Sequence, residues 1–203
     1  MADKQELLLP GNVYHIYNHA NGDDNLFRCE DNYRYFLEKY TLHVYPVVET
    51  FAYCLMPNHF HLMVKVRKEE ELQMLPGFET LDRLLLPKAV SKKFSNLFNG
   101  YTQAYNKLYD RKGSLFMDSF KRKIIRNQEY FARLIAYIHN NPIHYGFVSD
   151  LNDWPHSSWN AYLLDKRTRL NIEEALHWFG NKVSFIHFHQ NLKIKDLALS
   201  FDF

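Results

Sequence analysis

The sequence predicts an α+β fold: an antiparallel sheet with helices on one side, one extra helix and a C-terminal extension. Three observations carry this. Four short segments alternate apolar and polar residues or run unbroken in apolar ones. Three longer segments repeat apolar residues at helical spacing. Their order is strand, helix, strand, strand, helix, strand, helix, which is the ferredoxin-like split βαβ pattern with one helix more.

Each element has its own signal. NVYHIYNHA (12–20) alternates as a strand does, and NGDDN turns the chain. Between Asp31 and Tyr45, Tyr33, Phe36, Leu37 and Tyr40 fall on one helical stripe. VVETFAYCLM (47–56) and HFHLMVKV (59–66) read as two strands joined at Pro57-Asn58. Residues 67–87 read as an acidic, irregular insertion. Pro87 opens a helix, being tolerated in a first turn. Val90, Phe94, Leu97, Phe98, Tyr101, Tyr105 and Leu108 form its apolar stripe. DRKG then turns into a fourth strand, SLFMDSFKRKII (114–125). Asn127 caps the next helix, with Glu129 favourable in its first turn. That helix is expected over residues 128–140, stopping at Asn141 because Pro142 pushes its predecessor out of the α region. A last helix is expected from Glu173 to Phe179.

With 203 residues, 46% of them hydrophobic, the chain makes one globular domain, with or without an appendage. No apolar run approaches the ~18 residues of a membrane span, and MADKQELLLPG lacks a signal peptide's apolar stretch. Cys29 and Cys54 are too few for a disulfide framework. A cytoplasmic protein with no membrane partner is expected. Net charge is only +2, yet residues 88–126 hold ten basic side chains against Asp110 and Asp118. That segment is therefore +8 and the rest of the chain −6. Such asymmetry fits one face meeting a polyanion, although an ordinary solvated basic surface would look the same.

The chemistry concentrates in CLMPNHFHLMV (54–64). A buried strand has no structural need of two imidazoles. His59 and His61, two apart, point to one face with Phe60 on the other, as the beginning of a metal site requires. Chance alone gives roughly 0.6 His-x-His pairs in a chain with this histidine content, so spacing needs context. A second pair, His187 and His189, lies among Val183, Phe185, Ile186, Phe188 and Leu192, which fit a helix. There, neighbours two apart sit about 200° round the axis and cannot share an ion. Those two read as structural or solvated.

On the helix after the fourth strand, Tyr130, Arg133 or Leu134, Tyr137 and Asn141 share one stripe. Phe131, Leu134, Ile135 and Ile138 form the face that docks on the sheet, with Tyr137 at its border. By spacing alone Tyr137 is a core-edge aromatic and Asn141 a turn residue. His139 faces elsewhere and reads as structural. His15 and Tyr17 share a face of the first strand, either as support for the His pair or as a packed core pair.

YHIYNHA, FAYCLMPNHFHLMV, GSLFMDSFKRKII, YIHNNPIHYGFV and WPHSSWNAY, in this order, resemble the single-tyrosine HUH transposases, in particular the REP-associated tyrosine transposase branch. The resemblance spans residues 10–164, which it marks as the transposase domain, and leaves 165–203 as a helical extension. It implies that His59, His61 and Asn141 hold a divalent cation, Mg²⁺ or Mn²⁺, and that Tyr137 is the nucleophile. Asn140 could stand in for Asn141 if Pro142 turns the chain. The implied partner is single-stranded or hairpin DNA. Lys121, Arg122, Lys123 and Arg126 are the expected phosphate contacts, with Lys92 and Lys93 further candidates. Monomer and homodimer both remain open. The chain departs from the family at His19-Ala20, where Arg-Gly is common, at Asp118-Ser119-Phe120-Lys121, and in the longer insertion. Two other readings stay open: a hairpin-DNA-binding protein without cleavage, and a metal-dependent phosphodiesterase that uses water.

Overall fold

The computed structural model describes residues 6–164 and 166–191, so Leu192 and the rest of the chain's end lie outside the described residues. Four strands, β1 Val13–His19, β2 Val48–Met56, β3 His59–Val66 and β4 Lys121–Ile125, form one sheet in the order β2-β3-β1-β4. Every neighbouring pair is antiparallel. The helices are α1 Glu30–His43, α2 Glu69–Gln73, α3 Leu86–Leu108, α4 Gln128–His144, α5 Trp159–Leu163, α6 Ile172–Phe179 and α7 Lys182–Asn191.

The α1 and α3 pair covers one face, as the split βαβ pattern requires. Phe60 enters this core, with ring centroids 5.5 Å from both Phe36 of α1 and Phe98 of α3. The extra helix, α4, lies on the other face and buries Phe131, Leu134, Ile135 and Ile138 there with Ala52, Cys54 and Met63. Helices α6 and α7 join this second core through Ala175 and Phe185, and Lys65 of β3 holds Glu174 of α6 at 2.8 Å. Two covered faces explain why β3 reads as a nearly continuous apolar run rather than an alternating one.

Several expectations need correction. The helix expected to stop before Asn141 runs on to His144 with Pro142 inside it. Proline removes a donor and crowds the preceding turn. Here the side-chain amides of Asn140 and Asn141 donate to the carbonyls of Ala136 and Tyr137, at 2.8 and 2.9 Å, and brace that turn. The fourth strand begins at Lys121, not Ser114. Leu115 and Phe116 are consecutive, yet both enter the α1/α3 core, which strand alternation forbids. The insertion is not wholly irregular: Glu69–Gln73 is a helical turn whose three leading glutamates suit a helix N-terminus. Leu108 is 64% exposed, so the α3 stripe ends at Tyr105.

The second His-x-His pair does lie on a helix, α7. Its members part company: His187 is exposed, whereas His189 is buried 3.0 Å from His139 Nδ1. His139 Nε2 in turn lies 2.7 Å from Ser158 Oγ. This chain of polar contacts ties α7 to the middle of α4. Burial lowers His189 to about 4 and His139 well below its ordinary value. A histidine depressed in the folded state stabilises fully above its unfolded pKa of about 6.5 and loses that stability as pH falls toward 4. For His189 alone the loss at pH 5 is about 2 kcal/mol. Denaturant titrations at pH 7.5 and pH 5 should show it, and His189→Gln should shrink the pH difference by about that amount. An unchanged pH difference in the variant contradicts this account of the pair.

Candidate active site

Register brings the site together. In the β1–β3 ladder His19 faces His59 and Tyr17 faces His61, while His15 lies opposite Met63. All these side chains point to the α4 face, because residues two apart share a face. The rings stack accordingly: His19 on His59 at 4.8 Å, and His15 on His61 at 5.0 Å. From above, α4 lowers Tyr137 to 5.4 Å from the His61 ring centroid. One turn later Asn141 places Oδ1 3.2 Å from His59 Nε2. His59, His61, Tyr137 and Asn141 therefore meet in one place, all less than 5% exposed. Asn140 turns back to Ala136 instead and has no contact with either histidine among its hydrogen bonds.

The polarity of these contacts is informative. Asn58 Oδ1 lies 2.8 Å from His59 Nδ1 and can only accept, so that nitrogen carries the proton. Burial lowers His59 to about 4, so the ring is neutral near pH 7 and its Nε2 is a bare lone pair. That lone pair faces Asn141 Oδ1, whose amide orientation is set by the Nδ2 bond to the Tyr137 carbonyl. Two acceptors thus confront each other at 3.2 Å with no proton to share. A cation held by these groups would resolve the conflict. His61, pushed well below its usual range by burial and then by the neighbouring His15, is also neutral. Two neutral imidazoles and an amide oxygen could hold a divalent cation and leave open coordination positions. The donor set fits.

His15 is the partner that periodicity left undecided. Its Nε2 lies 2.9 Å from His61 Nδ1, so it orients the His61 ring rather than packing with Tyr17 alone. Asn58, which sequence reasoning treated as half of a turn, does the same for His59. Tyr145 was also missed; its ring centroid is 5.0 Å from that of His59, and the residue is 47% exposed.

The basic residues divide. Lys121 and Lys123 of β4 stand opposite Tyr17 and His15 on the α4 face, both exposed. Lys123 Nζ also sits 5.3 Å from the centre of the Tyr130 ring. Arg122 points through the sheet to the other side, where Nη1 donates to Ser91 Oγ at 3.2 Å. Lys92 and Lys93 belong to α3 on that far side, with Lys93 over Phe78. Arg126 is exposed just beyond β4. The +8 segment is therefore spread over both faces.

Among the described residues no helix is long and apolar enough to cross a membrane. No protein-family model matches the chain. A Haemophilus influenzae protein that carries, provisionally, the name REP-associated tyrosine transposase is 28% identical over 145 residues, spanning 70% of this chain and 73% of that one. A solved structure of a REP-associated tyrosine transposase bound to a REP hairpin superposes with a TM-score of 0.60. It covers 80% of this chain and 86% of its own, at 17% identity. The chain is thus similar in sequence to one protein that carries the name REP-associated tyrosine transposase and in fold to the solved structure of another, the family its motifs resemble.

Proposed function

We propose that the chain cleaves and rejoins single-stranded DNA beside a hairpin through a covalent 5′-phosphotyrosine on Tyr137. One observation carries the reading: Tyr137 lies against His61 at the point where the facing acceptors of His59 and Asn141 call for a cation. A phosphodiester is a poor electrophile screened by its own oxygens. His59, His61 and Asn141 would hold a divalent cation, which would supply Lewis-acid polarisation of the scissile phosphate. The protein's residues do the rest. Asn58 accepts from His59 Nδ1–H, and His15 Nε2, 2.9 Å from His61 Nδ1, would accept from it when His61 presents its Nε2 lone pair inward. Tyr137 Oη attacks phosphorus, the bond from phosphorus to the 3′ oxygen breaks, and the phenolic proton leaves on the 3′-OH. A 3′-OH then attacks the phosphotyrosine and restores the phenol. The linkage energy is kept in the adduct, so no nucleotide cofactor is consumed.

Lys121, Lys123 and Arg126 position the backbone on the catalytic side. Three such contacts on a single strand predict that log K falls against log salt with a slope of about −2. Lys121→Gln with Lys123→Gln should make that slope shallower by about 1.4. Fluorescence anisotropy with a hairpin carrying a single-stranded flank measures both. Equal affinity for a blunt duplex of the same sequence, or a flat salt profile, counts against the reading.

The chemistry is tested by incubating the chain with that hairpin and Mg²⁺ or Mn²⁺. A species that survives denaturation with protein and DNA joined, together with a new free 3′-OH, is the expected result. Nicking with no joined species would move the reaction to water, and binding with no nicking would leave a hairpin-binding protein.

A further inference from the structure

A second concave site lies at the edge of β2, on the side of the sheet away from Tyr137. A cavity of about 770 Å³ opens there between α1 and the loop of residues 166–170. Tyr40, Tyr45 and Tyr53 wall it, and Arg167 and Arg169 stand at its rim. Among the described residues, none that lines it carries a carboxylate. Arg28, Arg34, Arg67, Arg83, Arg111 and Arg133 each meet an acidic side chain. Arg167 and Arg169 are exposed and make no ion pair among the described residues. Arg169 Cζ sits 6.0 Å from the centre of the Tyr45 ring.

Two guanidiniums with no ion pair among the described residues, beside half-buried phenol rings, suit a phosphate joined to a flat aromatic body. That is the chemistry of a nucleotide, and the volume is in the range of small-molecule pockets. The position favours a nucleotide within a strand. Tyr53 and Thr50 of the pocket share β2 with Cys54, which pairs with His61. From Cys54 to Thr50 is about 13 Å along the strand. Segment 156–171 borders that edge, bridging Cys54 through Ser157 and Thr50 through Leu170, so DNA from the Tyr137 face would enter the cavity over the exposed residues 166–169.

We propose that this cavity holds an unpaired nucleotide of the DNA flanking the hairpin, its phosphate on Arg167 and Arg169 and its base against Tyr45. The proposal rests on the DNA-processing reading above and extends it to the segment after residue 164. Arg167→Gln with Arg169→Gln should weaken binding of a flanked hairpin about tenfold and leave a hairpin without a flank unchanged. Covalent adduct formation on the flanked hairpin at saturating DNA should be unchanged, so the activity and this site can fail separately. A flank containing 5-iododeoxyuridine should photocrosslink to the peptide that holds Tyr45 or Tyr53. Equal weakening on both hairpins, no weakening on either, or crosslinks confined to other peptides overturns the proposal. Thymidine monophosphate that binds as tightly as the flanked hairpin, with the same dependence on the two arginines, makes it a free-nucleotide site and also overturns it. If the unmodified chain binds neither hairpin, the DNA reading falls and this site falls with it.

Discussion

Tyr137→Phe is expected to bind hairpin DNA as the unmodified chain does and to form no covalent adduct. The substitution removes one oxygen and keeps the ring that packs 5.4 Å from His61. Its cost in stability should be small, because the packed ring is kept. Its cost in strand cleavage should be about 10³-fold or more, because no other group supplies the bond to phosphorus. Tyr130→Phe, two turns earlier on α4, and Tyr145→Phe, beside His59, are the informative controls. Both should cleave normally. If Tyr137→Phe cleaves as well as Tyr130→Phe, Tyr137 is a packed aromatic and no more.

Replacing His59 and His61 by alanine is expected to abolish metal-dependent cleavage, and added Mg²⁺ or Mn²⁺ should not restore it. Chelation with EDTA should silence the unmodified chain, and the same cations should revive it. The double variant also leaves His15 Nε2 without its partner and strips Asn58 Oδ1 of a donor. A stability loss of about 1–3 kcal/mol is therefore expected. Circular dichroism at the assay temperature separates a folded, inactive protein from an unfolded one. His187→Ala, at an exposed position of α7, should leave cleavage untouched. His189 needs separate treatment because its contact with His139 reaches the helix that carries Tyr137. Its substitution is expected to act on stability, not through metal binding. Cleavage that survives loss of both His59 and His61 would remove the metal site from the mechanism.

The central strands were legible because their signals are local: an unbroken apolar run, a Pro-Asn turn, and imidazoles at strand spacing. The contact between His61 and His15 was not. It depends on which residue of β1 lies opposite which residue of β3, and a shift of one position would turn His15 to the other face. The end of α4 was misjudged for a related reason. The rule for a residue before proline is a local steric preference, and burial of Asn140, Asn141 and Pro142 within the fold overrides it here. That continuation matters to the site, since it lets Asn141 act from a helical position over His59. Basic residues were read as a block, but β4 sends alternate side chains to opposite faces, parting Arg122 from Lys121 and Lys123. The site's residues were thus readable one by one, and their supporting contacts only in three dimensions.

Peptide mapping of the trapped adduct tests the central claim most directly. The unmodified chain is incubated with a flanked hairpin and Mn²⁺, the DNA is digested to a short remnant, and the modified peptide is sequenced by mass spectrometry. Three tyrosines lie near the histidine pair: Tyr137, Tyr17 and Tyr145, with ring contacts of 5.4, 5.9 and 5.0 Å. The account predicts a nucleotide remnant joined through its 5′ phosphate to Tyr137 alone. A remnant on Tyr145 or Tyr17, or one joined through a 3′ phosphate, would contradict it.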